Sequence, residues 1–389
     1  MKLKKYLIAI FCLALCLILS FGLVFTACSQ KTIEASNSLD KMIGEMIVLG
    51  FRGTEINDSS KIIKDIREYS IGGVVLFDYD VPSKSSPRNI LSPKQTKKLV
   101  EDLKSLGRSD LFVAVDAEGG KVNRLRSKYG FMEIVSAQKM GEDEPKNTFL
   151  KASPLGLEFA YLGLNVNFAP VVDVNINKDN PVIGKIERSF SEDPVKVYEH
   201  ASNFIDAMHE FGIITALKHF PGHGSSTSDS HLGLVDITNT YKEETELEPY
   251  AKLIADNKTD MVMTAHVMNT NIDPDYPATL SPLFLQEILR KKLNFKGVIV
   301  SDDMQMGAIV ENFGFEEAII KAVNAGCDLL IFSNNGSSYD EDIAKKAVDA
   351  IKAALKDGKI KEETIKSSYE RIRALKENYK IASWFLVNN

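Results

Sequence analysis

The sequence predicts a single (β/α)8 barrel of the TIM type, and two observations predict it. Eight short apolar runs recur along the chain, each continuous rather than alternating, as in strands buried on both faces. The stretches between them carry helix signals. A doubly wound open sheet competes for the same strand–helix alternation, but no Gly-x-Gly-x-x-Gly turn follows the first run.

In chain order the runs are residues 46–51, 73–77, 111–115, 166–174, 213–217, 261–266, 297–301 and 329–332. Between the second and third, Ser92-Pro93 is an N-cap followed by proline at the first helical position, with Leu99, Leu103 and Leu106 at helical spacing. Ser281-Pro282 repeats the device before Leu285, Ile288 and Leu289, between the sixth and seventh runs. Residues 39–389 are therefore read as one barrel domain.

What precedes the barrel is a targeting segment. Lys2, Lys4 and Lys5 lead into an apolar stretch over 6–25, the layout of a secretory signal. Phe25-Thr26-Ala27 then places small residues before Cys28, an arrangement similar to a bacterial lipobox. The expectation is a signal peptide over 1–27, lipidation at Cys28, a linker over 28–38, and an extracytoplasmic protein anchored to a membrane by its lipid. An uncleaved transmembrane anchor is the alternative, since the apolar stretch is about long enough to span.

Without that leader only Cys28 and Cys327 remain of four cysteines. One internal cysteine makes no intrachain disulfide, and Cys327, beside the last apolar run, reads as core. The formal charge of −6, more negative still without the three leader lysines, argues against nucleic acid as a partner.

Polar residues gather where such a barrel builds its active site, at the carboxyl ends of the strands. Asp116 and Glu118 follow the third run, Asp173 lies in the fourth, Lys218 and His219 follow the fifth, His266 closes the sixth, and Asp302 and Asp303 follow the seventh. The richest segment is Lys218-His219-Phe220-Pro221-Gly222-His223-Gly224, followed by Asp229-Ser230-His231. It holds three of the chain's six histidines within thirteen residues. Polar, titratable groups on a loop held by a strand are where chemistry sits.

A strand-end carboxylate and a second acid flanking a bond suit glycoside hydrolysis. Asp302 supplies the rigidly held carboxylate. Histidine titrates near neutrality, so His231 can protonate a leaving oxygen and then deprotonate water, with Asp229 orienting its ring. Other readings stand beside these. Asp302-Asp303 can be a helix N-cap with its neighbour, and Asp229-Ser230-His231 an Asx turn. His219, His223, His231 and Asp229 can form a zinc site, although Pro221 and two glycines exclude the helix that would align His219 with His223. A serine hydrolase lacks its Gly-x-Ser-x-Gly turn. A sugar-binding lipoprotein is the non-enzymatic alternative.

Four segments together resemble glycoside hydrolase family 3, in its single-domain β-N-acetylglucosaminidase branch. They are Asp116-Ala117-Glu118-Gly119-Gly120-Lys121-Val122-Asn123-Arg124-Leu125, Asn165 through Val174 with Ala169-Pro170 inside it, Lys218 through His231, and Val300-Ser301-Asp302-Asp303-Met304. The resemblance runs over roughly 39–380. It implies a retaining exo-β-N-acetylglucosaminidase acting through a glycosyl-enzyme on N-acetylglucosamine-containing glycans, cell-wall fragments or chitooligosaccharides. Asp302 would be the nucleophile, His231 the general acid/base and Asp229 its partner; Asp116, Arg124, Arg188, Lys218 and His219 match sugar-binding positions. No cofactor and no metal are implied. A broader family 3 β-glycosidase, or a phosphorylase with phosphate as acceptor, is the enzymatic alternative.

Two stretches depart from the pattern. Extra residues precede Arg188 in Ile183-Gly184-Lys185-Ile186-Glu187-Arg188-Ser189-Phe190, and Ser225-Ser226-Thr227-Ser228 replaces more acidic residues. The Gly- and Ser-rich loop carrying His231 is expected to move and to be ordered by substrate.

Overall fold

The computed structural model describes residues 39–229 and 233–379. The expected signal peptide over 1–27, Cys28 and the rest of the 28–38 linker lie outside the described residues, as does His231.

Eight parallel strands close into one barrel. They are β1 (Ile47–Gly50), β2 (Gly73–Val75), β3 (Phe112–Val115), β4 (Val166–Asn167), β5 (Ile214–Phe220), β6 (Met261–Thr264), β7 (Val298–Asp303) and β8 (Leu329–Phe332). Each pairs with its sequence neighbours, and β8 returns to β1 through Ile47 opposite Leu330. The expected (β/α)8 class is thus the observed one. Its strands read as unbroken apolar runs because helices cover the outside while side chains fill the inside. Seven of the eight are buried from β1 to Val300 of β7 without an exposed position, and Leu329–Phe332 completes the set.

Ser92 caps helix α1 (Pro93–Lys104) as expected, its hydroxyl accepting from the Gln95 N–H at 3.3 Å. Two expectations are corrected. The fourth run was expected as a strand over 166–174, yet β4 ends at Asn167, because Pro170 has no N–H to give to a ladder. Beyond it the chain stays against β5 through a bridge between Val171 and Lys218. The segment after Ser281-Pro282 is wound as a π-helix, Leu283–Lys292, not an α-helix.

The amino end of the barrel is fastened by charge. Asp328, just before β8, is fully buried. Its carboxylate accepts from the Ile299 N–H of β7 at 2.8 Å, from Arg290 of the π-helix at 2.7 Å, and from Ser368 and Arg371 of the C-terminal helix, Glu362–Asn378, at 2.9 Å each. Removing one partner of a buried pair leaves the other's charge uncompensated. Asp328→Ala is therefore expected to cost about 3–5 kcal/mol in urea unfolding, with kcat per folded molecule unchanged.

Candidate active site

At the opposite, carboxyl end, two cations and two carboxylates interlock. Lys218, on β5, is buried, and its Nζ lies 2.9 Å from Asp116 Oδ1 and 2.6 Å from Glu118 Oε1. Arg188 grips Glu118 with two parallel bonds of 2.8 Å, the bidentate fork that suits a guanidinium to a carboxylate. Burial by itself would raise the Glu118 carboxyl. Arg188 and Lys218 outweigh it and hold the group well below the usual carboxylate range. The same neighbours overcome burial in the other direction, keeping Lys218 and Arg188 above their ordinary values and therefore charged.

His219 continues the cluster. Its Nδ1 is 2.7 Å from Asp173 Oδ2 and its Nε2 is 3.1 Å from Arg188 Nη2. A carboxylate only accepts and a guanidinium only donates, so the network assigns the ring its Nδ1–H tautomer with Nε2 as acceptor. Asp173 Oδ1 also accepts from the N–H groups of His219 at 3.2 Å and His223 at 2.8 Å. One buried carboxylate thereby fixes both the tip of β5 and the start of the Gly-rich turn.

That turn is held from below. The Ser226 hydroxyl is 2.6 Å from His223 Nδ1, and Asn180 Nδ2 donates to the His223 carbonyl at 2.7 Å and to Ser226 Oγ at 3.0 Å. Burial pushes the His223 ring down to about 4, so it is neutral at pH 7 and serves the turn's structure. The serine run, read as a change in loop closure, thus supplies an anchor at Ser226.

Gly222 turns at φ +134° against helix α2 (Glu243–Ala255), where a Cβ would stand 2.6 Å from Glu246 Oε2. Burial pushes the Glu246 carboxyl up to about 7. A carboxyl raised on folding stabilises fully below its unfolded value of 4.5, and that stability is lost as pH rises through about 7. Glu246→Gln, neutral throughout, is expected to remove a pH-dependent loss of about 3 kcal/mol, read from urea unfolding between pH 4.5 and 8.

The extra residues before Arg188 form a 3-10 turn, Gly184–Ile186, followed by Glu187 at φ +66°. They deliver the guanidinium to Glu118, and its Nη1 donates to the Val182 carbonyl at 2.9 Å. Arg124 takes a more peripheral place. Its N–H donates to the Asp116 carbonyl at 2.9 Å, while its guanidinium lies 4.0 Å from Asp78 and over the Phe77 ring. Asp229 is half-buried at the end of the turn.

Two strands further round, β7 ends in the Asp302-Asp303 pair. The two carboxylates have different employment. Asp303 Oδ1 accepts from the N–H groups of Gln305 at 3.1 Å and Ser333 at 3.0 Å, and its other oxygen accepts from the Ser333 hydroxyl. Asp302 is half-buried at the strand tip and accepts from the Asp303 N–H at 2.7 Å. Neither aspartate is a helix N-cap, since the helix that follows, Gly307–Phe313, begins after Met306; Asp303 instead ties the turn after β7 to the end of β8.

Asp116 pairs with Lys218 and Arg188 with His219, and Glu118 links the two pairs. Glu118 and Asp173, seen in the sequence only as strand-end acids, prove to be the carboxylates that bind this cluster together. Asp78, at the end of β2 and buried 2.7 Å from Arg126, carried no sequence signal beyond its position after an apolar run. Among the described residues no group of three or more His, Cys, Asp or Glu side chains is placed to hold a metal ion.

A closed parallel barrel whose carboxyl end carries a strand-tip aspartate pair and a cluster of buried, mutually paired charges is a design that glycoside hydrolases use. The family model described as the glycosyl hydrolase family 3 N terminal domain matches residues 38–375, and the chain belongs to that family. A beta-hexosaminidase of Tolumonas auensis is 37% identical over 294 residues, covering 74% of this chain and 83% of that protein. Among solved structures, a family 3 β-N-acetylglucosaminidase from a Paenibacillus superposes with a TM-score of 0.79 at 33% identity. That match covers 88% of this chain, and the chain spans 63% of the Paenibacillus protein's length. A β-N-acetylhexosaminidase of Beutenbergia cavernae gives a TM-score of 0.75 at 28% identity, over 87% of this chain and 98% of that one.

Proposed function

We propose that this chain is a retaining, exo-acting β-N-acetylglucosaminidase that removes terminal non-reducing β-linked N-acetylglucosamine from cell-wall fragments or chitooligosaccharides. The observation that carries the reading is the division of labour at the tip of β7, where Asp303 is spent on the fold and Asp302 stands at the barrel mouth. The relatives named as hexosaminidases support the substrate class.

In this reading the Asp302 carboxylate attacks the anomeric carbon as the glycosidic C–O bond breaks, and His231 gives its proton to the departing oxygen. His231 then takes a proton from water, which attacks the glycosyl-enzyme, returns the β configuration and frees Asp302. Asp229 steadies the imidazolium. Lys218 has three N–H donors, and two meet Asp116 and Glu118, so the third serves a sugar hydroxyl. Asp116, Arg188, His219 and Arg124 complete the grip. Because these charges already neutralise one another, they need no rearrangement when the sugar arrives.

The test is release of nitrophenol from 4-nitrophenyl N-acetyl-β-glucosaminide by residues 29–389, with chelator present and the glucoside alongside. Turnover of the acetamido sugar alone, unaffected by chelator, is expected. Equal turnover of the glucoside would widen the specificity to general β-glycosidase. Chelator-sensitive turnover would restore the zinc reading, and N-acetylglucosamine 1-phosphate formed in phosphate buffer would make the enzyme a phosphorylase.

The lysine-led apolar leader and Cys28 support an enzyme tethered by lipid on the extracytoplasmic side of a bacterial membrane. Cys28→Ala is expected to shift activity from the membrane fraction to the soluble one. Activity that stays with the membrane would favour a spanning anchor.

A further inference from the structure

The register of β7 changes where the chemistry begins. Against β6 the ladder runs Val298 opposite Met261, Ile299 opposite Val262 and Val300 opposite Met263. Against β8, Val300 faces Leu329 and Asp303 faces Ile331, so three steps on β7 meet two on its neighbour. Ser301 and Asp302 form this bulge, a device that re-aims a side chain at the expense of ladder bonds.

Side chains take over the missing ladder. On the β8 side, the Ile331 N–H donates to Ser301 Oγ at 3.0 Å, and Ser333 holds the Asp303 carboxylate. On the β6 side, the hydrogen bond comes from His266, whose Nε2 lies 2.9 Å from the Asp303 carbonyl oxygen. The ring is fully buried. Its Nδ1 is 2.8 Å from Thr279 Oγ1, which is itself 2.8 Å from Thr264 Oγ1 and 3.0 Å from the Ala265 carbonyl. A carbonyl accepts only, so Nε2 carries the hydrogen that meets Asp303, while the single Thr279 hydroxyl hydrogen goes to the Ala265 carbonyl.

We infer that His266 is a positioning residue for the reaction: through Nε2–H it clamps the Asp303 carbonyl, one residue beyond Asp302, and so fixes the attacking carboxylate in its bulge. The inference rests on the reading of Asp302 as the nucleophile. A buried histidine serving only the core would matter for stability alone. A clamp matters for rate, since misplacing a reacting group by about 1 Å costs roughly 10²-fold.

Two substitutions separate these roles. The amide of His266→Gln reaches as far as Nε2 and keeps the donor to Asp303. The amide of His266→Asn reaches only to the place of Nδ1, keeping Thr279 and losing Asp303. With 4-nitrophenyl N-acetyl-β-glucosaminide as probe, the Asn variant is expected to lose roughly 10²-fold in kcat at nearly constant KM, and the Gln variant to recover most of it. Crystals of the two full barrels read the same point without turnover: the Asp302 carboxylate keeps its place in the Gln variant and moves in the Asn variant. Equal kcat in the two variants, or an unmoved Asp302 in the Asn variant, overturns the inference. A parent enzyme silent on the glycoside, with Asp302 displaced as expected, overturns the substrate reading and leaves the clamp standing.

Discussion

Asp302→Ala should lower kcat on an aryl N-acetyl-β-glucosaminide by roughly 10⁴-fold or more, about 5 kcal/mol of transition-state stabilisation, with the melting transition little changed. The half-buried carboxylate accepts the Asp303 N–H, and its loss removes the bond-forming atom rather than a core contact. Azide sharpens the test. In a retaining enzyme the nucleophile occupies the face opposite the leaving group, so a small anion filling its place should return an α-glycosyl azide. Asp303→Asn is the control. Its burdens are the Ser333 and Gln305 bonds, so it should lose stability first and chemistry second. If Asp302→Ala kept parent-like turnover while Asp303→Asn was inactive, the two carboxylates would have to exchange roles.

His231→Ala should split substrates by leaving group. A nitrophenolate departs with little protonic help, so the first step on the aryl glycoside should lose no more than about tenfold, whereas a chitooligosaccharide should lose 10²–10⁴-fold, the usual range for general acid catalysis. The second step needs the same imidazole as a base. The variant should therefore burst with nitrophenol, stall as a glycosyl-enzyme and show a depressed KM. Azide should restart it and yield the β-azide, the opposite anomer to that from Asp302→Ala. Equal loss on both substrates, with no burst, would remove His231 from the acid/base role and point to Asp229 or to a group elsewhere on the mouth.

The fold was legible because a parallel barrel leaves a strong trace: eight runs, each buried from both sides, with helix-forming stretches between them. What escaped was geometry that composition does not encode. Pro170 sits inside an apolar run, and only the three-dimensional path shows that β4 stops at Asn167 while the chain continues beside β5. Ser281-Pro282 looks like Ser92-Pro93, yet the apolar spacing that follows does not separate an α-turn from the wider π-turn. At the site, Asp116, Arg188, Lys218 and His219 were named from their motifs and meet in space. Glu118 and Asp173 were visible as acids at strand ends, but which acid takes which cation is decided by the path of the chain. The bulge that sets Asp302 apart from Asp303 comes from a register shift between distant segments, which no local pattern records.

Asp328 and its arginines sit at the amino end of the barrel, a full strand length from its carboxyl-end mouth. Selection can therefore act on this protein through two nearly separate dials. Changes around Asp328 are expected to set how many molecules survive folding and proteolysis in the cell, and changes around Asp302, as the proposed nucleophile, to set what each survivor does per second. A variant library sorted by abundance and one sorted by turnover should enrich different ends of the same strands.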